Sequence, residues 1–406
     1  MEAWSAGAIL AYMTNTRLLI ILTAISSLTV FASSILAPIE ARYVLNIVGN
    51  PATAGVVFAV GSIFFAILSY FLGTVSDRAG RRPFILIGLS VAILYPLWYA
   101  SIQGAFAAFG VKLAWAFSAV AAGPILSAYI QDVIDTASNK GALFGYLYSA
   151  QSIAGSFGAL LGGWLAQAFD LSAPFYALAA ISALTFVIAY AFLPADRPHA
   201  EKHAGTKSLV QVFAFIISKP PLQFYLSLNT SFGINWGIKS FLWPLVVYDI
   251  AKSDLATGSI FATMGIVAFF LLPFAGKIVD RFGAYRISLV QFAILGTTGV
   301  AMALTHTLSL FWILAAVYTI GEVLNLGQSV IMTEHVPSAI RGQVAGLDAV
   351  MDRALNTVAP LFAGFLLTAL PAATVLLLFM LLYWVSLIVA WRIYHTTLRV
   401  AVSPRV

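Results

Sequence analysis

The chain has 406 residues, 61% of them hydrophobic and 9% charged, with a mean hydropathy of +0.96. Soluble globular domains carry roughly 25% charged residues, so this composition excludes one and makes lipid the solvent. The net charge of +6 and pI of about 9.4 read as membrane orientation rather than nucleic-acid binding, and the absence of cysteine excludes disulfide and thiolate chemistry.

A spanning helix needs about 20 apolar residues, and windows of that size predict twelve spans. They lie near 17–39, 52–73, 83–101, 106–131, 141–168, 173–193, 221–248, 255–276, 287–305, 308–333, 342–370 and 373–394. The runs are continuous rather than alternating, which excludes a transmembrane barrel. The first sixteen residues lack a basic stretch and a small-residue cleavage site, so no removable signal peptide is expected. One long polar connection, 194–220, divides the chain into a first six-helix half (1–196), a linker (197–220) and a second six-helix half (221–406).

With the N-terminus inside, Arg17, Arg78, Arg81, Arg82, Lys140, Arg197, Lys202, Lys207, Lys219, Lys277, Arg281, Arg286, Arg341, Arg392, Arg399 and Arg405 fall on the cytoplasmic side. The outer loops then carry only Arg42 and Lys252. The asymmetry predicts both termini in the cytoplasm of a cell-membrane protein.

Between the second and third spans, residues 73–82 read Gly-Thr-Val-Ser-Asp-Arg-Ala-Gly-Arg-Arg. Gly73, Asp77, Arg78 and Gly80 recur as Gly276, Asp280, Arg281 and Gly283 at a constant offset, and Lys140-Gly141 with Gly145 recurs as Arg341-Gly342 with Gly346. Two six-helix halves in parallel repeat predict an all-α membrane protein with a pseudo-two-fold axis along the membrane normal.

By this layout and by the loop signature Gly-x-x-x-Asp-Arg-x-Gly-Arg-Arg, matched at every defined position, the chain resembles the major facilitator superfamily over essentially its whole length. The resemblance implies a cytoplasmic gate made by Gly73, Asp77, Arg78, Gly80, Arg81 and Arg82 with Gly276, Asp280, Arg281 and Gly283, which stabilises the outward-open state and binds no substrate. Drug-efflux members carry an arginine in span four at the position of Lys112, and the span-five pattern Gly-Pro-x-x-Gly-Gly. Here residues 158–163 read Gly-Ala-Leu-Leu-Gly-Gly, with Ala159 in place of proline.

Charge inside the membrane marks the candidate site. A charged side chain at the bilayer centre costs about 2.5–3.5 kcal/mol on insertion scales, so Lys112, Lys239, Glu322, Asp348, Asp352 and Arg353 must face water or one another. Asp348 and Asp352 share a helix face. Glu322, in mid-span ten, is the first choice for a protonation site, followed by Asp352 and Asp348, with Glu40 at the outer end of span one as a surface charge, outer gate or proton-access group. Lys112, Lys239, Arg353, Asn229, Asn235, Trp236 and Tyr318 are candidates for substrate contact, the two aromatics by stacking. Lys112 reads either as a buried functional ammonium or as one that snorkels to the interface.

The five histidines show no metal-ligand spacing and no nucleophile elbow is present, so neither an enzyme nor a metal site nor a cofactor is expected. The sequence supports a monomeric secondary transporter using alternating access. Its partners are protons, a small-molecule substrate and the bilayer. The leading expectation is proton-coupled export of a small organic compound. The alternative is a symporter or exchanger for a polar, anionic metabolite, and a non-transporting sensor on the same fold is a third.

Overall fold

The computed structural model describes residues 6–134, 140–194, 209–337 and 341–398. In lipid every backbone N–H and C=O must find an internal partner, and the described residues meet that demand with helices joined by short turns. The first half comprises α1 (Ala6–Ser34), α2 (Glu40–Val48), α3 (Pro51–Ala79), α4 (Arg81–Tyr99) and α5 (Gly104–Val120). One wide π-helical turn (Ala121–Ile125) then leads into α6 (Leu126–Ile134), followed by α7 (Lys140–Ala168) and α8 (Ala173–Phe192). The second half comprises α9 (Leu209–Ser218), α10 (Pro220–Ala251), α11 (Asp254–Phe282), α12 (Ala284–Leu304), α13 (Leu308–Val323), α14 (Leu326–His335), α15 (Arg341–Leu366) and α16 (Ala372–Ile393).

Nine of the described helical segments are long and apolar enough to cross a membrane. The other three long helices, α7, α10 and α15 at 29, 32 and 26 residues, have the length. At 1.5 Å per residue each exceeds a hydrocarbon core of about 30 Å, but each carries polar side chains that face the interior. Large apolar residues such as Phe106, Ile313 and Phe365 stand exposed around the outside, as lipid contact requires.

Three expected spans depart from a single regular helix. The helix of span one, expected over 17–39, ends at Ser34 and turns through Pro38 into α2, which begins at Glu40 beyond the expected end. Span four widens around Pro124, which lacks a backbone donor. Span ten breaks after Glu322: the Leu324 amide donates to Ile320 O at 3.3 Å and Gly321 O at 3.2 Å, and the Asn325 amide to Glu322 O at 3.1 Å, a tightening that ends α13.

The linker, a polar connection in the sequence, contains α9. Val212 and Ile216 of that helix are 1% and 5% exposed and pack with Leu222, Val336, Val344 and Leu347, so α9 belongs to the second half. Arg197, Lys202, Lys207, Arg399, Arg405 and the expected domain boundary at 196/197 lie outside the described residues.

The internal repeat is visible in atomic detail. α3 and α11 are both 29 residues long and start 203 positions apart. Asn50 Oδ1 caps the first by accepting from Ala52 N at 2.8 Å, and Ser253 Oγ caps the second by accepting from Ala256 N at 3.2 Å. Both end in a glycine of positive φ, +89° at Gly80 and +86° at Gly283, a conformation in which a side chain would be strained.

These two helices also carry the contact between halves. α3 crosses α15 at Gly55 and Gly364, and α11 crosses α7 at Gly258 and Gly163. A Cβ built on Gly364 would lie 2.5 Å from Pro51 O and 2.8 Å from Gly55 Cα; one on Gly163 would lie 2.5 Å from Asp254 O and 3.0 Å from Gly258 Cα. All four glycines sit toward the face opposite the 73–82 loop. Gly73, Gly145 and Gly276, toward the loop face, meet nothing within 4 Å. The halves are therefore pressed together on the far face and parted on the loop face.

The same substitution should consequently have opposite signs at the two faces. Gly163→Ala and Gly364→Ala overpack the crossings and are expected to lower stability by about 1–3 kcal/mol. Gly73→Ala and Gly145→Ala fill open space in a helix and are expected to raise it by about 0.5–1 kcal/mol. Thermal unfolding of the purified protein measures both.

Candidate functional site

The parting of the halves leaves a cavity of about 780 Å³, within the range of small-molecule sites. α1 and α7 contribute Ser34, Tyr148, Gln151, Ser152 and Ser156; α10 and α11 contribute Phe232, Trp236, Lys239, Phe261 and Met264. The charged lining residues are Lys239, Glu322, Asp348 and Asp352, all from the second half.

Lys239 and Glu322 form one cluster. Lys239 Nζ donates to Glu322 Oε2 at 2.8 Å and Oε1 at 2.9 Å, and Asn235 Nδ2 donates to Oε1 at 2.9 Å. Asn235, itself fully buried, accepts from the Tyr318 hydroxyl at 2.7 Å. α10 places Asn235 and Lys239 one turn apart, so both reach the same carboxylate on α13. The ammonium lies 5.5 Å from the Trp236 ring and 5.6 Å from that of Trp243, inside cation–π range.

Asp348 and Asp352 form a second cluster with no cation within ion-pair distance among the described residues. Asn229 Nδ2 donates to Oδ1 of both, 3.0 Å in each case, and the Tyr225 hydroxyl donates to Asp348 Oδ1 at 2.6 Å. A single amide group bridges two carboxylates on successive turns of α15.

The remaining buried charges stay out of the cavity wall. Lys112 is 2% exposed: its Nζ pairs with Glu40 Oε1 at 2.6 Å and sits 4.0 Å over the Phe58 ring. It therefore neither snorkels nor contacts a ligand in this cavity. The Arg353 guanidinium lies 4.1 Å over the Phe65 ring of the first half.

On the loop face, Arg81 bonds Asp77 through Nη2 at 3.1 Å and Nε at 3.3 Å, and its Nη1 bonds Asp132 at the end of α6. Arg82 Nη2 donates to Tyr190 O at 3.1 Å. These bonds tie the α3–α4 turn to α6 and α8 of the same half. In the second copy Ala284 stands where Arg81 does, Asp280 is exposed, and Arg281 lies 5.4 Å over the ring of Phe282.

Two helical halves joined at symmetry-related crossings around a charged cavity agree with the sequence comparison, in which the model of the Major Facilitator Superfamily matches residues 19–347 and 225–405. The chain belongs to this superfamily. The multidrug resistance protein MdtG of Proteus mirabilis is 26% identical over 367 residues, covering 85% of this chain and 86% of that protein. MdtG of Dickeya zeae is 28% identical over 277 residues, covering 63% of this chain and 64% of its own length. Among solved structures, the nucleoside transporter NupG superposes with a TM-score of 0.75 at 17% identity, covering 93% of this chain and 99% of that one; that likeness is one of fold.

The cavity thus collects Lys239, Glu322, Asp348, Asp352, Asn229 and Trp236 from the residues singled out in the sequence. Asn235 supports Glu322 from behind. Tyr318, expected as a stacking surface, is instead fully buried and packs edge-on against Trp243 at 5.1 Å, because its hydroxyl is held by Asn235 and bonds Tyr383 at 3.2 Å. Tyr225 was not anticipated; a tyrosine one turn before Asn229 on a polar stripe was the available signal.

An ion pair across the far face was also missed. Arg42 Nη1 of α2 lies 2.8 Å from Asp254 Oδ1 of α11, the Arg42 guanidinium stacks 3.8 Å over the Tyr248 ring, and Asp254 N donates to Gln167 Oε1 at 3.2 Å. Asp254 opens a helix directly after a capping serine, so in the sequence it reads as a helix-start residue. With side chains 16% and 7% exposed, the pair is shielded enough for removal of one partner to be costly. Arg42→Ala and Asp254→Ala are each expected to lower the melting temperature, and the double variant to lose less than the sum, leaving a coupling of about 1–3 kcal/mol in a double-mutant cycle.

Proposed function

We propose that this superfamily member is a secondary active transporter that exports a small organic compound in exchange for protons, by alternating access in the cell membrane. The observation that carries this reading is the cavity between the halves, closed on the far face and holding the Asp348–Asp352 pair, which has no cation within ion-pair distance among the described residues. With the loop face cytoplasmic, as the Lys and Arg distribution suggests, the conformation is inward-open and the Arg42–Asp254 pair is the outer seal. Both termini are then cytoplasmic. The protein acts as a monomer, each half supplying one wall of the route.

Exchange follows from a shared site. A cationic group and protons can each neutralise the paired carboxylates, and in an apolar setting both cannot be held at once. A ligand loaded from the cytoplasm leaves when protons entering from outside take its place. When the loop-face ends approach one another, the 73–82 turn of one half meets the other, and the far-face crossings part. The names of the MdtG relatives fit efflux. The anionic-substrate alternative loses its main support, since Lys112 and Lys239 each have a carboxylate partner and three carboxylates face one lysine in the cavity.

In proteoliposomes with an imposed pH gradient, flux of the probe cation tetraphenylphosphonium is expected in the parent protein and to fall at least about tenfold, or 1.4 kcal/mol, in Asp348→Asn/Asp352→Asn. Glu322→Gln, which strands the Lys239 charge, is expected to stop the flux while the protein still melts cooperatively. Unchanged pH-driven flux in the double asparagine variant would remove the carboxylate pair from the mechanism.

A further inference from the structure

Directly beyond Glu322, where the tenth span breaks, three carboxamides meet. Gln291 of α12 is fully buried, Gln328 of α14 is 1% exposed, and Asn325 lies in the turn between α13 and α14. Gln328 Nε2 donates to Gln291 Oε1 at 3.0 Å, and Gln291 Nε2 donates to Asn325 Oδ1 at 3.5 Å. α14 can approach α12 this closely because residue 327 is glycine, where a Cβ would stand 3.0 Å from Ala284 O.

The chain of amides has two unused ends. Gln328 Oε1 is buried and accepts nothing from the protein, although Gln328 and Asn325 both line the cavity. A buried acceptor left unmet costs about 1–3 kcal/mol, so an amide placed in this way in a membrane protein calls for a partner that arrives from outside. Turning one amide alone would set like groups together, N–H against N–H or oxygen against oxygen. Only a concerted turn of all three preserves the internal bonds, and it exchanges the roles of the two ends. In either arrangement the row offers the cavity one acceptor and one donor, and no charge.

We propose that Gln328 and Asn325 form a neutral recognition edge for an amide group of the substrate, with Gln291 as the positioning residue behind them. The inference rests on the cavity being the transport site and narrows the cargo class: an organic cation that also carries a secondary amide, its charge meeting Asp348 and Asp352 and its amide meeting this edge. Each hydrogen-bonding group of the edge left unmatched by a ligand weakens binding.

Procainamide and procaine provide the test, because they share shape and charge and differ by an amide N–H in place of an ester oxygen. In equilibrium dialysis with the purified full-length protein, procainamide is expected to bind about tenfold more tightly than procaine. Gln328→Met is expected to bring the ratio near one by weakening procainamide more than procaine, and Gln291→Met to reduce the ratio similarly. Should Gln328→Met not fold, Asn325→Ala in the turn gives the same reading. Equal binding of the two compounds by the parent protein, or a ratio that survives these substitutions, overturns the amide edge alone. No saturable binding of either compound by the folded protein overturns the cavity reading, and the edge with it.

Discussion

Everything in the architecture depends on two places where bare backbone touches bare backbone between the halves. Gly55 against Gly364 and Gly163 against Gly258 are the same contact made twice, since Gly258 is the counterpart of Gly55 and Gly364 that of Gly163 in the internal repeat. Small residues let membrane helices approach closely enough for dispersion to hold them where no hydrophobic drive exists. Because both contacts sit toward one face, the helices diverge toward the other, and the divergence is the cavity. The span-five glycines thus act through packing, and the missing proline at Ala159 does not disturb the crossing, since Ala159 O is itself a close neighbour of Gly258.

Against that geometry the charges sort by the cost of holding them in an apolar medium. Lys112 is neutralised within the first half by Glu40 and wrapped by Phe58 and Trp115. Arg353 rests on the Phe65 ring, and Lys239 is matched by Glu322. Asp348 and Asp352 have no cation within ion-pair distance among the described residues and are held by hydrogen bonds from Asn229 and Tyr225. The first half is in this respect a scaffold that lines the cavity with hydroxyls and one amide, while the second carries its charge.

The fold was readable because its signals are periodic and redundant: long apolar runs, a repeated loop, and a glycine spacing that appears twice. The cavity charges were readable because an ionisable residue inside an apolar run is rare enough to notice singly. What could not be read was which way a side chain points. Glu322, Asn235 and Tyr318 all lie on cavity-forming spans, yet only Glu322 reaches the cavity, with Asn235 and Tyr318 stacked behind it. Pairings between distant spans were equally hidden, since Lys112 and Glu40 are 72 positions apart and share no local pattern. The break in span ten left no gap in hydropathy, because a turn shielded by protein needs no polar residues of its own.

The short helix α2 gains a role from these pairings. Glu40 and Arg42 are two residues apart, so at about 100° per residue they leave the helix on roughly opposite sides. Glu40 faces inward to Lys112, and the Tyr43 hydroxyl donates to Tyr99 O at 2.6 Å, both within the first half. Arg42 faces Asp254 and Tyr248 of the second. These two contacts tie α2 to the first half, and the Arg42–Asp254 pair with the stacking on Tyr248 ties it to the second. In the proposed cycle, parting of the halves at the far face requires Arg42 to leave Asp254 and Tyr248. The Lys112–Glu40 pair, which does not line the cavity, holds in the first half the short helix that presents Arg42 to the second.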